Sequence, residues 1–433
     1  MTRPLILSLL LLVPVATARG QGSDAALRDR VARLVEKLEA EKAEARDAAE
    51  KTLVELGPKA LPYVPEPVKG DAADKKTRLD RVRKALREAA EQINLGASKV
   101  TIQVQGIRLS DAVKKLQALS GNAITDERDE PSNPTFDLDL KDKPFLEALD
   151  EVARKGGVGL DFFSGDGSIG LKDGPGMQQQ QQAPNTAPAT PNPFRAFTGP
   201  FLVTLKSLRT TRDFEGGNTF AVLQLEADWE PRLRPMLLAL KNEDVKIVDD
   251  RGKEVKANLD QESMSAALNP DNPAAEININ FALPDRDAKK LASVKVKAEL
   301  SVPAALRTFR FPNLAKADVT QKQGNASVTL ESCEVDEQTW KVDVAVKLPG
   351  AEGTESYQMG SVRNRLWLQK PDGSRFELNG GFNQTGNDGG TLSFEYLFVD
   401  VPGKPADYQL VYETPSKIVT IPLEFEFKDV PLP

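Results

Sequence analysis

Residues 99–125 and 135–173 read KVTIQVQGIRLSDAVKKLQALSGNAIT and TFDLDLKDKPFLEALDEVARKGGVGLDFFSGDGSIGLKD. Each stretch begins with alternating apolar and polar residues, continues with apolar residues three or four apart, and ends in a further strand pattern. Ser110 suits the start of the first helix as an N-cap, and Gly121 suits its end. Two copies of a strand, a helix and a strand therefore predict a small α+β domain over residues 97–173.

The patterns IRLSDAVKKLQALSGNAI and LKDKPFLEALDEVARKGGVGLDF within this domain resemble the secretin and TonB short N-terminal domain. That domain is known from the periplasmic starts of secretins and of signalling TonB-dependent receptors. The resemblance implies docking onto another protein of the cell envelope, and it implies no reactive chemistry.

The amino terminus, MTRPLILSLLLLVPVATARG, has the order of a secretory signal. Arg3 is followed by an apolar run from Leu5 to Val15 and by the small residues Ala16–Ala18. We predict a signal peptide over residues 1–22 and an exported protein, either periplasmic or extracellular. The alternative is an uncleaved anchor, but the apolar run is short for a membrane span. No integral membrane span is predicted elsewhere.

Residues 23–96 carry three apolar stripes at helical spacing and predict an all-α segment. The stretch ARDAAEKTLVELGPKALPYV resembles a short bacterial HEAT-like repeat, and a helical hairpin spacer is the equally open alternative. Basic residues are frequent between Lys75 and Arg87. They could meet an anionic partner, but a solvated helix face is the favoured interpretation because acidic residues balance the segment.

Residues 174–198 are rich in Gln, Pro, Ala and Asn and have little apolar bulk to bury. We predict a linker here, stiffened by proline. It would separate a helix-rich half of the chain from a half with little helix.

Strand patterns and turn residues recur through the rest of the chain and predict two all-β, immunoglobulin-like sandwiches, over residues 199–313 and 314–433. The two halves echo each other. In particular, LRTFRFPNL and LEFEFKDVPLP each read as a closing strand followed by proline. The predicted fold class is therefore multidomain: an all-α segment, a small α+β domain and two β-sandwiches. This order of domains resembles exported proteins of planctomycete-type bacteria.

The composition excludes several classes of chemistry. The 433-residue chain has a formal net charge of −7, which argues against nucleic acid as a partner. It has no histidine and one cysteine, so catalytic systems and metal sites built on those residues are excluded. Nucleotide-binding and nucleophile-elbow motifs are absent from the sequence. We assign no catalytic, cofactor-binding or metal residues and predict no cofactor.

Three weaker possibilities concern individual residues. Calcium could bind at Asp249–Asp250, Asn269–Asn272 or Asp285–Asp287, although turn formation explains these clusters better. Trp229, next to arginines, could form a sugar-binding platform, although a core position is favoured. Cys333 lies in a strand pattern and is expected to be a buried structural thiol.

Two glycosylation acceptor patterns begin at Asn325 and Asn383, and they have meaning only if the source glycosylates exported proteins.

The leading functional hypothesis is a non-enzymatic exported envelope protein that docks onto or scaffolds an envelope or secreted protein partner, with the sandwiches presented on the linker. The alternative is a module that binds carbohydrate, such as cell-wall polysaccharide. A hydrolase that uses paired carboxylates is the remaining alternative, since acidic residues are abundant but no pair stands out.

Overall fold

A computed structural model describes residues 21–433 of the chain, except for 69, 130–131, 175–191, 213, 216, 218, 260–261, 351–353 and 362–363. The chain is mostly β, with 50% of its residues in strands and 22% in helices, and the strands form several sheets. It divides into two compact units, residues 1–93 and 94–433. The predicted signal peptide lies almost entirely in residues 1–20, which are outside the described residues. Within the described part, no helix is long and apolar enough to cross a membrane.

The first unit is built from helices. Their bounds are Gln21–Lys37 (α1), Ala43–Glu55 (α2), a 3-10 helix at Pro58–Tyr63, and Ala73–Leu95 (α3), which ends beyond the unit. The buried apolar side chains form one small core: Val31, Leu38, Ala49, Leu53, Ala60, Val64, Leu79, Val82 and Leu86. The apolar stripes of the sequence thus become the inner faces of packed helices.

Part of the basic run on α3 is paired with acidic residues. Arg78, only 7% exposed, donates to Asp74, Asp47 and Glu50. Arg81 donates to the same Glu50 at 2.7 Å. These intramolecular partners occupy donors that an anionic ligand would need.

Residues 97–174 form the small α+β domain. Its elements are Lys99–Arg108 (β1), Leu109–Ser120 (α4), Ile124–Asp126 (β2), Thr135–Pro144 (β3), Phe145–Gly156 (α5), Val158–Asp161 (β4) and Ile169–Asp173 (β5). The two copies assemble as matching halves. Their first strands, β1 and β3, pair antiparallel, while β2 and β4 flank β5 in a second sheet. The apolar faces of α4 and α5 join both sheets in one core.

The start of α4 differs from the sequence-based expectation. The helix begins at Leu109, and Ser110 lies inside it rather than capping it. Asn133 takes that role from the chain before β3, because its Oδ1 accepts the Ser110 N–H at 3.0 Å and its Nδ2 donates to Ser110 Oγ. Gly121 ends the helix as predicted, with a left-handed φ of 73°.

Among its described residues, the β-rich region contains three sheets, one short α-helix at Glu355–Ser361 (α6), and 3-10 helices at Pro231–Leu233 and Pro405–Asp407. The first sheets contain Arg195–Thr198 (β6), Phe201–Arg212 (β7), Thr219–Trp229 (β8), Leu237–Asp249 (β9), Glu254–Val255 (β10), Ser263–Ala267 (β11), Ala274–Ala282 (β12) and Lys290–Phe311 (β13). The remaining strands are Val319–Gln323 (β14), Ala326–Asp336 (β15), Thr339–Lys347 (β16), Leu366–Gln369 (β17), Arg375–Glu377 (β18), Phe382–Asp388 (β19), Thr391–Val399 (β20) and Gln409–Pro431 (β21).

The three sheets form two pairs of facing sheets, and each pair encloses a core of its own. We call each pair a sandwich-like layer. A four-stranded sheet has the order β12-β8-β7-β6, and a five-stranded sheet has the order β14-β15-β16-β20-β19. Each faces a different end of one seven-stranded sheet, β10-β9-β13-β21-β17-β18, with β11 on β9. Because β6 starts at Arg195, the predicted linker ends before residue 198.

The seven-stranded sheet is continuous because β13 and β21 run through both cores. They pair antiparallel from Lys290 opposite Pro431 to Phe311 opposite Leu410. The start of β13 and the end of β21 line the first core, whereas the end of β13 and the start of β21 line the second. The predicted boundary at residues 313/314 therefore does not separate the two cores.

The closing strands of the two halves are exchanged relative to the sequence-based division. Phe309 and Phe311 of LRTFRFPNL pack in the second core, and Phe425 and Phe427 of LEFEFKDVPLP pack in the first. Both segments alternate apolar and polar residues, so either could close either sandwich by local pattern alone. Only the pairing partner, which is distant in sequence, decides between them.

Candidate functional site

The small domain and the first sandwich-like layer are held together by a buried polar cluster at the end of β8. Glu230 is fully buried and accepts hydrogen bonds from the Ser98 backbone N–H at 2.7 Å and from Asn122 Nδ2 at 2.9 Å. Arg232 Nε donates to Glu230 at 2.7 Å and to Ser98 Oγ at 2.6 Å. The backbone N–H of Arg232 donates to Asn122 Oδ1. The two charged side chains of this cluster, Glu230 and Arg232, are thus paired with each other, as burial requires.

A second contact uses the turn of residues 164–168 between β4 and β5. The Gly167 N–H donates to the Asp271 carbonyl at 2.7 Å, and the Gly165 N–H donates to Asn272 Oδ1 at 3.1 Å. Gly167 has a left-handed φ of 78°, and a Cβ there would lie 3.4 Å from the Pro270 carbonyl oxygen. Glycine therefore lets the turn approach the 270–272 loop closely.

These contacts differ from the prediction that the linker separates the helix-rich half of the chain from the β-rich half. Leu202 of β7 and Ala274 of β12 belong to the core of the small domain, and Arg195 pairs with Asp150 of α5 at 2.8 Å. The small domain thus packs directly on the four-stranded sheet, and the predicted spacing of the two halves by the linker is not what the structure shows. Residues 175–191 of that linker lie outside the described residues.

One buried carboxyl in this contact lacks a partner. Asp228 is 1% exposed and lies on β8 between Leu202 and Ala274, its neighbours on the adjacent strands. Its Oδ1 has no hydrogen bond. Burial, with a smaller contribution from Glu226, holds the pKa of this carboxyl well above its ordinary value.

The chain leaves this cluster through a strained residue and enters an open cleft. After the 3-10 turn at Pro231–Leu233, Arg234 adopts the left-handed region with φ 46°. The cleft beside it is open to solvent. Its apolar wall consists of Pro235, Met236, Leu268, Pro303, Leu306 and Pro415.

The cleft lies where the two shared strands pass from one core to the other. The β13–β21 register shifts on either side of Ala305, next to the wall residues Pro303 and Leu306. Irregular pairing bends a strand and opens the surface beside it. On the opposite side, Gly360 of α6 meets Met236, and a Cβ at this glycine would overlap Met236 Cε.

Two arginines, Arg234 and Arg365, line the cleft. Burial, together with the neighbouring Arg365 guanidinium, lowers the pKa of Arg234. The nearest carboxylate to Arg234 is that of Glu413, 4.0 Å away. Among the described residues, the Arg365 side chain has neither a hydrogen-bond nor an ion-pair partner.

A second open cleft adjoins the first and shares Arg234, Pro270 and Arg365 with it. It extends to Gly121, Asp166 and Arg232 at the edge of the small domain. The two clefts together, which we call the junction groove, therefore touch the small domain and both sandwich-like layers.

The three candidate calcium clusters serve as turns and surface contacts. Asp249 Oδ1 accepts the N–H groups of Arg251 and Lys253, and Asp250 accepts that of Lys289. Asn269 closes its own turn, and Asn272 belongs to the contact with the small domain. Asp285 and Asp287 pair with Lys253 and Arg251. Within the described part of the chain, no group of three or more acidic or cysteine side chains is arranged to hold a metal ion.

The aromatic and thiol candidates lie in the cores or next to them. Trp229, Trp340 and Trp367 are 2%, 3% and 5% exposed, so none offers an open ring for sugar stacking. Cys333 is half-buried, and burial raises the pKa of its thiol to about 11, as expected of an unreactive cysteine. Asn325 and Asn383 are both exposed.

The residues of the junction groove were missed at the level of sequence. The segment EPRLRP supplies Arg232 and Arg234 to the groove, and no motif in the sequence marks it as a binding site. Nothing in the sequence connects this segment to Arg365 and Glu413, which enter the groove through the pairing of β17 with β21.

Comparison with known proteins adds no assignment, since no family model matches the chain and no curated protein matches it significantly.

Proposed function

We propose that this is a non-enzymatic exported protein that docks onto a protein of the cell envelope. The observation that carries the proposal is the junction groove, an open and partly apolar surface to which three parts of one compact unit contribute. Binding sites are concave, are largely apolar with a few polar groups, and favour the places where domains meet.

Features of the sequence support the location and the type of protein. The order of Arg3, the apolar run Leu5–Val15 and the small residues Ala16–Ala18 supports export. The duplicated strand–helix–strand unit supports our proposal that residues 97–173 are a domain of the secretin and TonB short N-terminal kind. The helices of the first unit support a HEAT-like segment, and the two sandwich-like layers support immunoglobulin-like modules that exchange their last strands.

The distribution of acidic groups favours docking over hydrolysis. A glycosidase requires two carboxyl groups facing one another across a substrate cleft. The carboxyl groups of Asp228 and Glu331 have raised pKa values because of burial, but neither lines the junction groove. The carbohydrate-binding alternative is weakened by the burial of all three tryptophans.

Crosslinking in growing cells tests the proposal. The full chain is treated with a lysine-reactive reagent, and a chain lacking residues 1–22 serves as the matched control. We expect the full chain to capture the same exported protein in independent repeats and the control to lose that capture. Capture of wall polymer alone, or identical capture by both chains, would overturn the proposal.

A further inference from the structure

The cleft beside Arg234 is lined by two kinds of residue. The apolar lining includes Met236, Leu268 and Leu306, of which Leu306 is 41% exposed. The charged lining includes Arg234 and Arg365. Such a cleft suits a ligand in which an apolar group is attached directly to an anion.

The arginines have hydrogen-bond donors to offer. Each guanidinium carries five N–H groups in a planar fork that matches a carboxylate. Arg365 is exposed and has no side-chain partner among the described residues, and Arg234 has only Glu413 at 4.0 Å, beyond ordinary hydrogen-bond length. A bound carboxylate would also offset the repulsion between the two like charges.

The acidic groups around the arginines narrow the choice of anion. Glu413 faces Arg234, Asp271 adds a carboxylate to the adjoining cleft, and Asp166 is held there by Ser164, Ser168 and Thr125. These negative charges disfavour a phosphate or another multiply charged group, because repulsion grows with each charge. A single carboxylate placed between the two guanidinium groups is the better match.

The backbone holds the site in place. Arg234 has a positive φ of 46° and precedes Pro235, a combination that costs free energy unless the surrounding structure enforces it. The enforcing contacts are the Glu230 cluster on one side and the hydrogen bond from the Met236 N–H to the Ser301 carbonyl on the other. The backbone of Arg234, and with it the direction of its Cα–Cβ bond, is thus set before any ligand binds, which lowers the entropic cost of binding.

We propose that the cleft binds the C-terminal carboxylate of a partner polypeptide whose last residue is apolar. The carboxylate lies between Arg234 and Arg365, and the last side chain lies against Met236 and Leu306. The cleft is open to solvent, so the rest of the partner chain leaves along the junction groove. This inference rests on the proposed docking function, and it names the chemistry of the partner.

Fluorescence polarisation with labelled peptides tests the inference on the full mature chain. The peptides differ only in the last residue, and each is made as a free acid and as a C-terminal amide. We expect free acids ending in Leu, Val or Phe to bind, and their amides to bind about tenfold or more weakly, since a charge-assisted pair is lost. Equal binding of acid and amide, or no binding by any peptide, would overturn the inference.

Matched variants locate the binding site. Arg365→Glu should weaken the free-acid peptide about tenfold or more, because the charge is reversed beside the carboxylate. Arg209→Glu makes the same charge change at an exposed position of β7 and should leave binding unchanged. Leu306→Asp should weaken binding through the apolar lining. If the Arg365→Glu variant keeps the wild-type melting temperature and binds the free-acid peptide as tightly as the wild type does, the inference is overturned.

Two further measurements separate the possible sources of the ligand and the two proposals. Direct binding of dodecanoate, measured by calorimetry, without binding of any peptide would identify a free amphiphile as the ligand and overturn the polypeptide source. Crosslinking in cells with Arg365→Glu separates this inference from the docking function. If the variant still captures the wild-type partner, the cleft is not the contact although docking stands. If the wild type captures no protein, docking itself fails, whatever the peptides do.

Discussion

The buried carboxyl group of Asp228 makes the stability of the fold depend on pH. Its carboxyl is buried where the small domain meets the four-stranded sheet, and its Oδ1 has no hydrogen bond. Below the ordinary pKa of 3.8, the carboxyl is protonated in both the folded and the unfolded state. As pH rises above that value, the unfolded state releases the proton first, so Asp228 costs stability until the raised folded-state pKa is passed.

Asp228→Asn should therefore stabilise the protein at neutral pH. We expect a gain of about 1–3 kcal/mol at pH 7, because the neutral amide cannot ionise and avoids the desolvation cost of a buried charge, and this gain should shrink toward zero near pH 3.5. Urea unfolding across this pH range measures the gain. Asp388→Asn, at an exposed position of β19, is the control and should change little. A gain that does not depend on pH would contradict the ionisation of Asp228 as the cause.

Removal of the Glu230 carboxylate should destabilise the protein, in contrast to Asp228→Asn, because the buried charge of Glu230 is fully paired. Glu230→Ala removes the acceptor shared by Ser98, Asn122 and Arg232. We expect a loss of about 3–5 kcal/mol in the free energy of unfolding, since the Arg232 charge loses its partner at the contact. Glu243→Ala, at an exposed position of β9, is the comparison variant. Equal losses in the two variants would show that the buried cluster does not hold the two parts together.

At the level of helices and strands, local sequence patterns predicted those features that depend on one segment of the chain alone. The helix end at Gly121 follows from the positive φ that glycine adopts without strain. The start of α4 could not be predicted in this way, because the Ser110 backbone N–H donates to Asn133, which lies beyond the next strand. The partners of β13 and β21 were missed for the same reason. Their alternation is visible in the sequence, but their pairing depends on residues about 100 to 140 positions away.

The exchanged strands lead to a prediction about fragments. Residues 199–313 lack Leu423, Phe425, Phe427 and Val430, which line the first core in the intact chain. We expect this fragment alone to lack a cooperative unfolding transition, because an edge of its core is open to water. A synthetic peptide of residues 417–433 added in trans should restore the transition. Calorimetry measures it, and a fragment that unfolds cooperatively without the peptide would contradict the exchange.

At the scale of the molecule, the linker does not govern the arrangement of residues 94–433. The small domain is fixed by the Glu230 cluster, by the contact of the 164–168 turn with the 270–272 loop and by Leu202 and Ala274, while β13 and β21 join the two sandwich-like layers. The candidate site emerges only at this scale. Arg234, Arg365 and Glu413 belong to three separate segments, and only the complete fold brings them to one groove.

Docking through the junction groove is the central claim, and site-specific photo-crosslinking in growing cells tests it most directly. The photoreactive residue replaces Leu306 at the groove or, as the control, Leu283, which is 36% exposed and does not line the groove. We predict an adduct with one exported protein from position 306 that Arg365→Glu abolishes, and no such adduct from position 283. Equal adducts from both positions, or none from position 306, would contradict docking through the groove.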